Sequence, residues 1–255
     1  MPLRIEAIPA FDTNYIWALH DTNHCVLVDP GSAAQARDFL VAHQLSLSAI
    51  LLTHHHADHT GGVDELLADR SVPVWGPVDP RMPQVDHPVG EGDQATLPTL
   101  DLSFHVLETP GHTRSHIVFH DDRYLLAGDT LFSAGCGRLF EGSAEQMHHS
   151  LDKLGRLADD TAVLCAHEYT LDNCRFAQQV EPDNQALKDW TAEVEQRRNR
   201  NEISLPVPLG RERAINPFLR VREPSVVRAA NQREPGTGDD PAAVFAVIRR
   251  WKDCF

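Results

Sequence analysis

The sequence predicts a mixed α/β domain over residues 1–168 followed by an α-helical domain over 169–255. Three observations carry this. Through the first 167 residues, short apolar runs alternate with Gly-, Pro- or Asp-containing turns and short helical stretches. From about Thr170 the apolar spacing changes to that of helices. The charge changes at the same place. The net charge of −14 lies entirely in the first 167 residues, with 9 Lys and Arg against 23 Asp and Glu, whereas the rest carries 14 of each.

The elements follow in order. Residues 25–28 read as a strand stopped by Asp29-Pro30-Gly31, and 33–43 as a helix with Phe39 and Leu40 inward. Residues 49–53 form a short buried strand. Two more strands, 102–107 and 124–127, each lead into a Gly-containing turn. Ser143 and Gln146 are spaced as a capping box, opening a helix to about Leu157. Residues 163–166 are a further buried strand. A long polar helix spans 183–201, with Leu187, Trp190 and Val194 on one stripe. Pro206, Pro208 and Gly210 mark a loop, and 234–239 a second one. Asp240 then caps the last helix, with Pro241 at its first position.

A chain of 255 residues can bury a substantial core, and 42% hydrophobic with 24% charged residues suits a soluble globular protein. No apolar run is long enough to cross a membrane, and the Met1-Pro2-Leu3-Arg4 start lacks the apolar core of a signal peptide. The acidic surface disfavours nucleic acid and anionic membranes as partners. Five scattered cysteines without a CxxC pair argue for free thiols and a cytoplasmic setting.

Four of the 15 histidines fall within His54-His55-His56-Ala57-Asp58-His59, directly after a buried strand. In extended chain, residues i and i+2 point the same way, so His54 and His56 can share one metal while His55 points elsewhere. Asp58 and His59 come as the chain turns into a helix and can face a second metal. Imidazoles with carboxylates suit Zn²⁺, Fe²⁺ or Mn²⁺. A polar loop with chance histidines is the alternative, and it is a poor account of this density. Three later segments repeat one order, apolar strand, tight turn, ligand type: His112 in Pro-Gly-His-Thr, Asp129 in Gly-Asp-Thr, and His167 after 163–166. Each alone reads as a turn or cap residue; the three together after HxHxDH make a full ligand set.

This series resembles the metallo-β-lactamase superfamily. The resemblance implies a four-layer αββα sandwich with two divalent metals at one edge, zinc first, iron or manganese otherwise. It implies His54, His56 and His112 on one metal, Asp58, His59 and His167 on the other, and Asp129 bridging both. Further strings resemble the hydroxyacylglutathione hydrolases (glyoxalase II) over nearly the whole chain. They are Phe11-Asp-Thr-Asn14-Tyr, Val28-Asp-Pro-Gly31, Gly135-Cys-Gly-Arg138, His167-Glu-Tyr-Thr170, Asn216-Pro-Phe-Leu-Arg-Val-Arg222 and Arg249-Arg-Trp-Lys252-Asp.

That resemblance implies hydrolysis of S-D-lactoylglutathione to D-lactate and glutathione by a metal-bridging hydroxide, with Asp58 and Asp129 acting through it. It implies a monomer with a small-molecule glutathione thioester as its partner. Arg138, Phe140, Tyr169, Arg249 and Lys252 occupy the positions where the family binds substrate. Arg138 stands where many members have Lys, and Phe140 where some carry a substrate-bonding Tyr. Arg249 and Lys252 lie on one helix face and suit the two carboxylates of glutathione; a solvated helix end is their alternative. Cys136 reads as a small buried residue rather than a nucleophile. The alternative enzyme is a glutathione persulfide dioxygenase of the same superfamily, with a single iron.

Overall fold

The computed structural model describes residues 3–255; Met1 and Pro2, the start of the N-terminal stretch read above, lie outside them. Two compact units emerge. The first takes the chain up to Glu108, with Ser115–Asp121 and Leu125–Gly128; the second takes Thr109–Arg114, Asp122–Tyr124 and Asp129–Phe255.

The first unit begins with β1 (Arg4–Ala10), β2 (Asn14–His20) and β3 (His24–Val28), then α1 (Ala33–Ala42) and β4 (Ser46–Leu51). Two short helices follow, α2 (Ala57–Thr60) and α3 (Val63–Leu67), and then β5 (Val74–Gly76) and β6 (His87–Pro88). These six strands make one sheet in the order β1-β2-β3-β4-β5-β6. It is antiparallel through β1, β2 and β3 and parallel from β3 onward. Ile16, Ala18, Cys25, Leu27, Ile50 and Leu52 form one core with Ala36 and Leu40 of α1 and with Val63 and Leu66 of α3. The alternate residues Tyr15, Trp17, Leu19, Val26, Val28, Ala49 and Leu51 are buried too, so β2, β3 and β4 are covered on both faces.

The unit is completed by β7 (Gln94–Leu97), β8 (Leu102–Glu108), β9 (Ile117–His120) and β10 (Tyr124–Gly128), paired antiparallel in that order. The C-terminal end of β4 meets this second group. Ile117 donates its N–H to the Thr53 carbonyl at 3.0 Å. Gly128 has φ +48°, and a Cβ there would lie 2.5 Å from Thr53 Oγ1 and 2.8 Å from His116 Nε2. No side chain fits at that meeting point.

The second unit holds β11 (Leu131–Phe132), β12 (Gly135–Cys136), α4 (Ala144–Leu154), β13 (Ala162–Cys165), α5 (Thr170–Val180), α6 (Gln185–Asn199), β14 (Val207–Pro208), α7 (Leu209–Ile215), α8 (Pro224–Arg233) and α9 (Pro241–Asp253). Both halves of the Ser143–Gln146 capping box form. Asp240 accepts the Ala243 N–H, and Pro241 opens α9 as expected. Two details differ from the sequence reading. The helix expected over 183–201 is α6, which begins at Gln185 with Asn184 as its cap and ends at Asn199. The segment marked by Pro206, Pro208 and Gly210 is β14 and the start of α7, because alternating Leu205, Val207 and Leu209 are buried and β14 pairs with β13.

α7 brings Glu212 into the interior with no exposed surface. Its carboxylate accepts from Ser133 Oγ at 2.8 Å, the Ala134 N–H at 2.7 Å and Asn216 Nδ2 at 3.1 Å. These bonds favour the charged form, but loss of hydration outweighs them and pushes the carboxyl up to about 7. A raised carboxyl binds more protons folded than unfolded between its ordinary value and about 7. Its contribution to stability is therefore present at low pH and lost as pH rises through that window. Chemical denaturation of wild type and Glu212→Gln at pH 5 and pH 8 checks this. The variant should gain on wild type by roughly 3 kcal/mol between the two pH values. An unchanged difference would place the titration elsewhere.

Candidate metal centre

Four predicted ligands lie in the first unit. Beyond β4 the chain stays extended through Thr53 and turns at α2. The two-residue alternation places His54 Nε2 3.1 Å from His56 Nδ1. His55 is turned aside, with Nδ1 3.8 Å from Asp79 Oδ2. His59 Nε2 lies 3.5 Å from Asp58 Oδ2. His54 and His59 are fully buried.

A residue outside the predicted ligand set orders this half. Asp29, buried at the end of β3, accepts the Thr53 N–H at 2.8 Å and the Thr53 hydroxyl at 2.7 Å. It also accepts from His59 Nδ1 at 3.0 Å. The Thr53 hydroxyl has one proton, and Asp29 takes it. Thr53 Oγ1 therefore accepts from His54 Nδ1, 3.1 Å away. Both rings thus carry their proton on Nδ1, which leaves Nε2 with its lone pair available to a metal. Asn14 Nδ2 donates to Asp58 Oδ2 at 2.9 Å. His116 is buried and stacks on His54 at 4.8 Å. Asp29 and Asn14 stood in family-like strings, but nothing local marked their roles.

The second unit holds the other three predicted ligands, all buried. His112 Nδ1 donates to the Arg138 carbonyl at 2.8 Å, which leaves Nε2 unprotonated, 3.3 Å from Asp129 Oδ2. His167 Nε2 lies 3.4 Å from Asp129 Oδ1. Each carboxylate oxygen thus faces a different imidazole. Imidazole lone pairs turned toward carboxylates repel unless a cation lies between them. The donor set therefore fits divalent metals, and the His and Asp clusters suggest that the protein binds them.

The five predicted substrate residues also lie in this unit. Tyr169 stacks parallel on His167 at 4.6 Å, and Phe140 meets His112 edge-on at 5.2 Å while staying exposed. Arg138 is exposed, with Nε 3.6 Å from Asp253 Oδ1. Arg249 is buried, which excludes a solvated helix end. Its guanidinium donates to the Cys136 carbonyl at 3.0 Å and to Asp253 at 2.9 Å. Lys252 lies half-buried, its Nζ 5.2 Å from the Phe176 ring centre. Burial first, and Arg249 second, pull its ammonium below the usual value. Cys136 is buried and its thiol is pushed up, so it remains protonated.

The family model of the metallo-β-lactamase superfamily matches residues 9–167. A second family model, hydroxyacylglutathione hydrolase C-terminus, matches residues 168–255. The chain belongs to the hydroxyacylglutathione hydrolase family. It is 52% identical over 251 residues to a hydroxyacylglutathione hydrolase of Alkalilimnicola ehrlichii, covering 98% of each chain. It is 50% identical over 255 residues to one of Aliivibrio salmonicida, covering 99% of this chain and all of that one. Among solved structures, ETHE1 from Myxococcus xanthus is similar with a TM-score of 0.64 at 24% identity, over all of this chain and 99% of that one, a likeness of fold. No helix among the described residues is long and apolar enough to cross a membrane.

Removing Asp29 takes the acceptor from two imidazoles' supports at once. Asp29→Ala should weaken divalent metal binding about 10- to 100-fold and lower stability by roughly 3 kcal/mol, because buried donors lose their acceptor. Metal analysis after dialysis and urea denaturation measure the two effects. Wild-type metal retention would remove Asp29 from the support of the site.

Proposed function

We propose that the chain hydrolyses S-D-lactoylglutathione and related S-2-hydroxyacylglutathiones to the 2-hydroxy acid and glutathione, the second step of methylglyoxal detoxification. The observation that carries this is the family match of residues 168–255, outside the metal-ligand segment, joined to relatives named for this activity over nearly their full length. Those names also favour the hydrolase over a persulfide dioxygenase.

The reading assigns residues 1–168 to catalysis and 169–255 to glutathione. His54, His56 and His112 would hold one divalent metal, Asp58, His59 and His167 a second, and Asp129 both, with zinc as the first choice and iron or manganese as alternatives. When bound, the pair would supply hydroxide at neutral pH and a Lewis acid for the thioester carbonyl. Asp129 suits the bridge, because its two oxygens face two different rings at 3.3 and 3.4 Å. Asp29 and the Arg138 carbonyl keep the ligating nitrogens unprotonated. Asn14 holds one oxygen of Asp58.

On the substrate side, Tyr169 presents its phenol from a ring fixed against His167. Phe140 offers an apolar edge and no hydrogen bond. Arg138 and Lys252 supply positive charge for the glutathione carboxylates. Arg249 shapes the site by clamping the Cys136 turn and Asp253. The glutathione thiol, with an ordinary pKa near 8.5, leaves as thiolate without a dedicated acid. All five cysteines are free, which suits the cytoplasm, and the chain is read as a monomer.

Loss of thioester absorbance from S-D-lactoylglutathione tests the assignment directly. Turnover should vanish on chelation and return with a divalent metal; a fully metal-loaded sample without turnover would overturn it. Asp129→Ala should lower kcat by about a hundredfold or more together with bound metal. Lys252→Ala should raise KM roughly tenfold and leave kcat within about twofold. An unchanged KM would take α9 out of the substrate site.

A further inference from the structure

The first unit contains a second convergence of ligand-type side chains. Glu6 is on β1, His20 ends β2, and His43 follows α1 as its C-cap. One ligating atom from each lies within 4.8 Å of the other two. The register sets Arg4 opposite His20, so Glu6 is His20's diagonal neighbour across the strand pair. Asn14, at the other end of β2, holds Asp58. Asn14 and His20 are six positions apart along β2, roughly 20 Å. The cluster therefore lies at the opposite end of the sheet from His54–His59.

The geometry of His20 points to a cation. The ring is 98% buried, with a relative exposure of 2%. Its Nδ1 lies 2.7 Å from the Asp21 carbonyl, which can only accept, so Nδ1 carries a proton. Its Nε2 lies 2.9 Å from Glu6 Oε1. With Nδ1 protonated, a neutral ring turns its Nε2 lone pair onto the carboxylate, an arrangement that a bound cation satisfies. A proton serves that pair but leaves the approach of His43 unused. A divalent cation serves all three groups. His43 is itself held ready: its ring stacks on Phe39, one turn back along α1, at 4.2 Å, and Phe39 also meets His20 edge-on at 5.7 Å.

We propose that Glu6, His20 and His43 form a separate divalent-cation site, with Zn²⁺ as the ion of choice. Two imidazoles and a carboxylate are a common zinc donor set, and a fourth position is left for solvent. With metal–ligand bonds of about 2.1 Å, tetrahedral ligands stand about 3.4 Å apart, within reach of small side-chain rotations. The His20 ring has the usual support of a zinc ligand, its other nitrogen donating to a backbone carbonyl. His43 is exposed and Glu6 partly so, which gives an ion access from solvent. The ion would fasten the end of α1 to β1, which is the edge strand of its sheet. Its role is structural, independent of the hydrolytic centre.

The test is a Zn²⁺ titration of the metal-loaded protein against a chromophoric chelator, with His43→Ala and Glu6→Gln beside wild type. His43→Ala changes an exposed residue outside the hydrolytic machinery, so the fold should persist, as circular dichroism checks. Wild type should take up one more Zn²⁺ per chain than His43→Ala, and Glu6→Gln should bind that ion at least tenfold more weakly. Zn²⁺ should raise the Tm of wild type and not that of His43→Ala, with thioester hydrolysis equal in both. Equal zinc uptake and equal Tm shifts in wild type and His43→Ala would overturn the proposal. So would loss of the ion in His43→Ala with undiminished affinity in Glu6→Gln, since the carboxylate would then not be a ligand.

Discussion

The first half of the candidate metal centre depends on one buried carboxylate. Asp29 links two strand ends, because it caps β3 and binds both the backbone and the hydroxyl of Thr53 after β4. Through that hydroxyl and through His59 it sets which nitrogen of two imidazoles is unprotonated. A buried anion is costly without compensation. Here three donors stabilise it, and two of those groups are needed in one orientation anyway. Asp29 also takes the left-handed conformation, with φ +50°. Asp tolerates this better than most residues, and it starts the turn through Pro30 to Gly31. A Cβ on Gly31 would lie 1.8 Å from the Asp58 carbonyl oxygen, so the turn can approach the ligand loop only as glycine. The Asp-Pro-Gly string that ends a strand is therefore also part of the metal centre's frame.

In the second unit the same task falls to the helices. The segment between Asp129 and Arg138 holds only the two-residue strands β11 and β12, paired with each other. Glu212 of α7 binds Ser133 and Ala134, and Asn216 binds the carbonyls of Phe132 and Gly135. Asn173 of α5 binds Ser133, and Arg249 of α9 binds Cys136. Arg138 is thereby placed so that its carbonyl meets His112. The helical segment thus does more than cover the chain. It fixes the backbone that follows one predicted ligand, Asp129, and supports another, His112.

What the sequence made legible was local. The HxHxDH spacing is read directly, because alternation in extended chain decides which imidazoles share a face. The strands β3, β10 and β13 are compact apolar runs and β8 alternates apolar with polar residues, all between turn residues, and the caps of α4 and α9 lie within three residues of their targets. The roles of Asp29 and Glu212 were not legible, because their partners are 24–30 and 78–79 residues away. In sequence, Glu212 stands between two arginines and resembles an exposed helix charge. β2 is buried at every position, so it lacks the alternation that identifies a half-buried strand. Arg249 was read by resemblance as a residue that touches substrate; its burial against Cys136 and Asp253 depends on a contact 113 residues away.

Charge distribution connects the fold to its substrate. The first 167 residues carry the whole net charge of −14, which suits a part that would hold cations and would repel a free dicarboxylate. Lys252 is placed against ordinary stability considerations, half-buried over Phe176 and close enough to Arg249 to be depressed by it. A lysine depressed in the folded state binds fewer protons folded than unfolded, so its ionised form costs stability below its ordinary value. A solvated lysine at the same helix end would carry no such cost. The cost is offset when an anion arrives, because a carboxylate beside a partly dehydrated ammonium interacts more strongly than one in open water. If Lys252 meets a glutathione carboxylate as proposed, the same burial that costs stability would strengthen that contact.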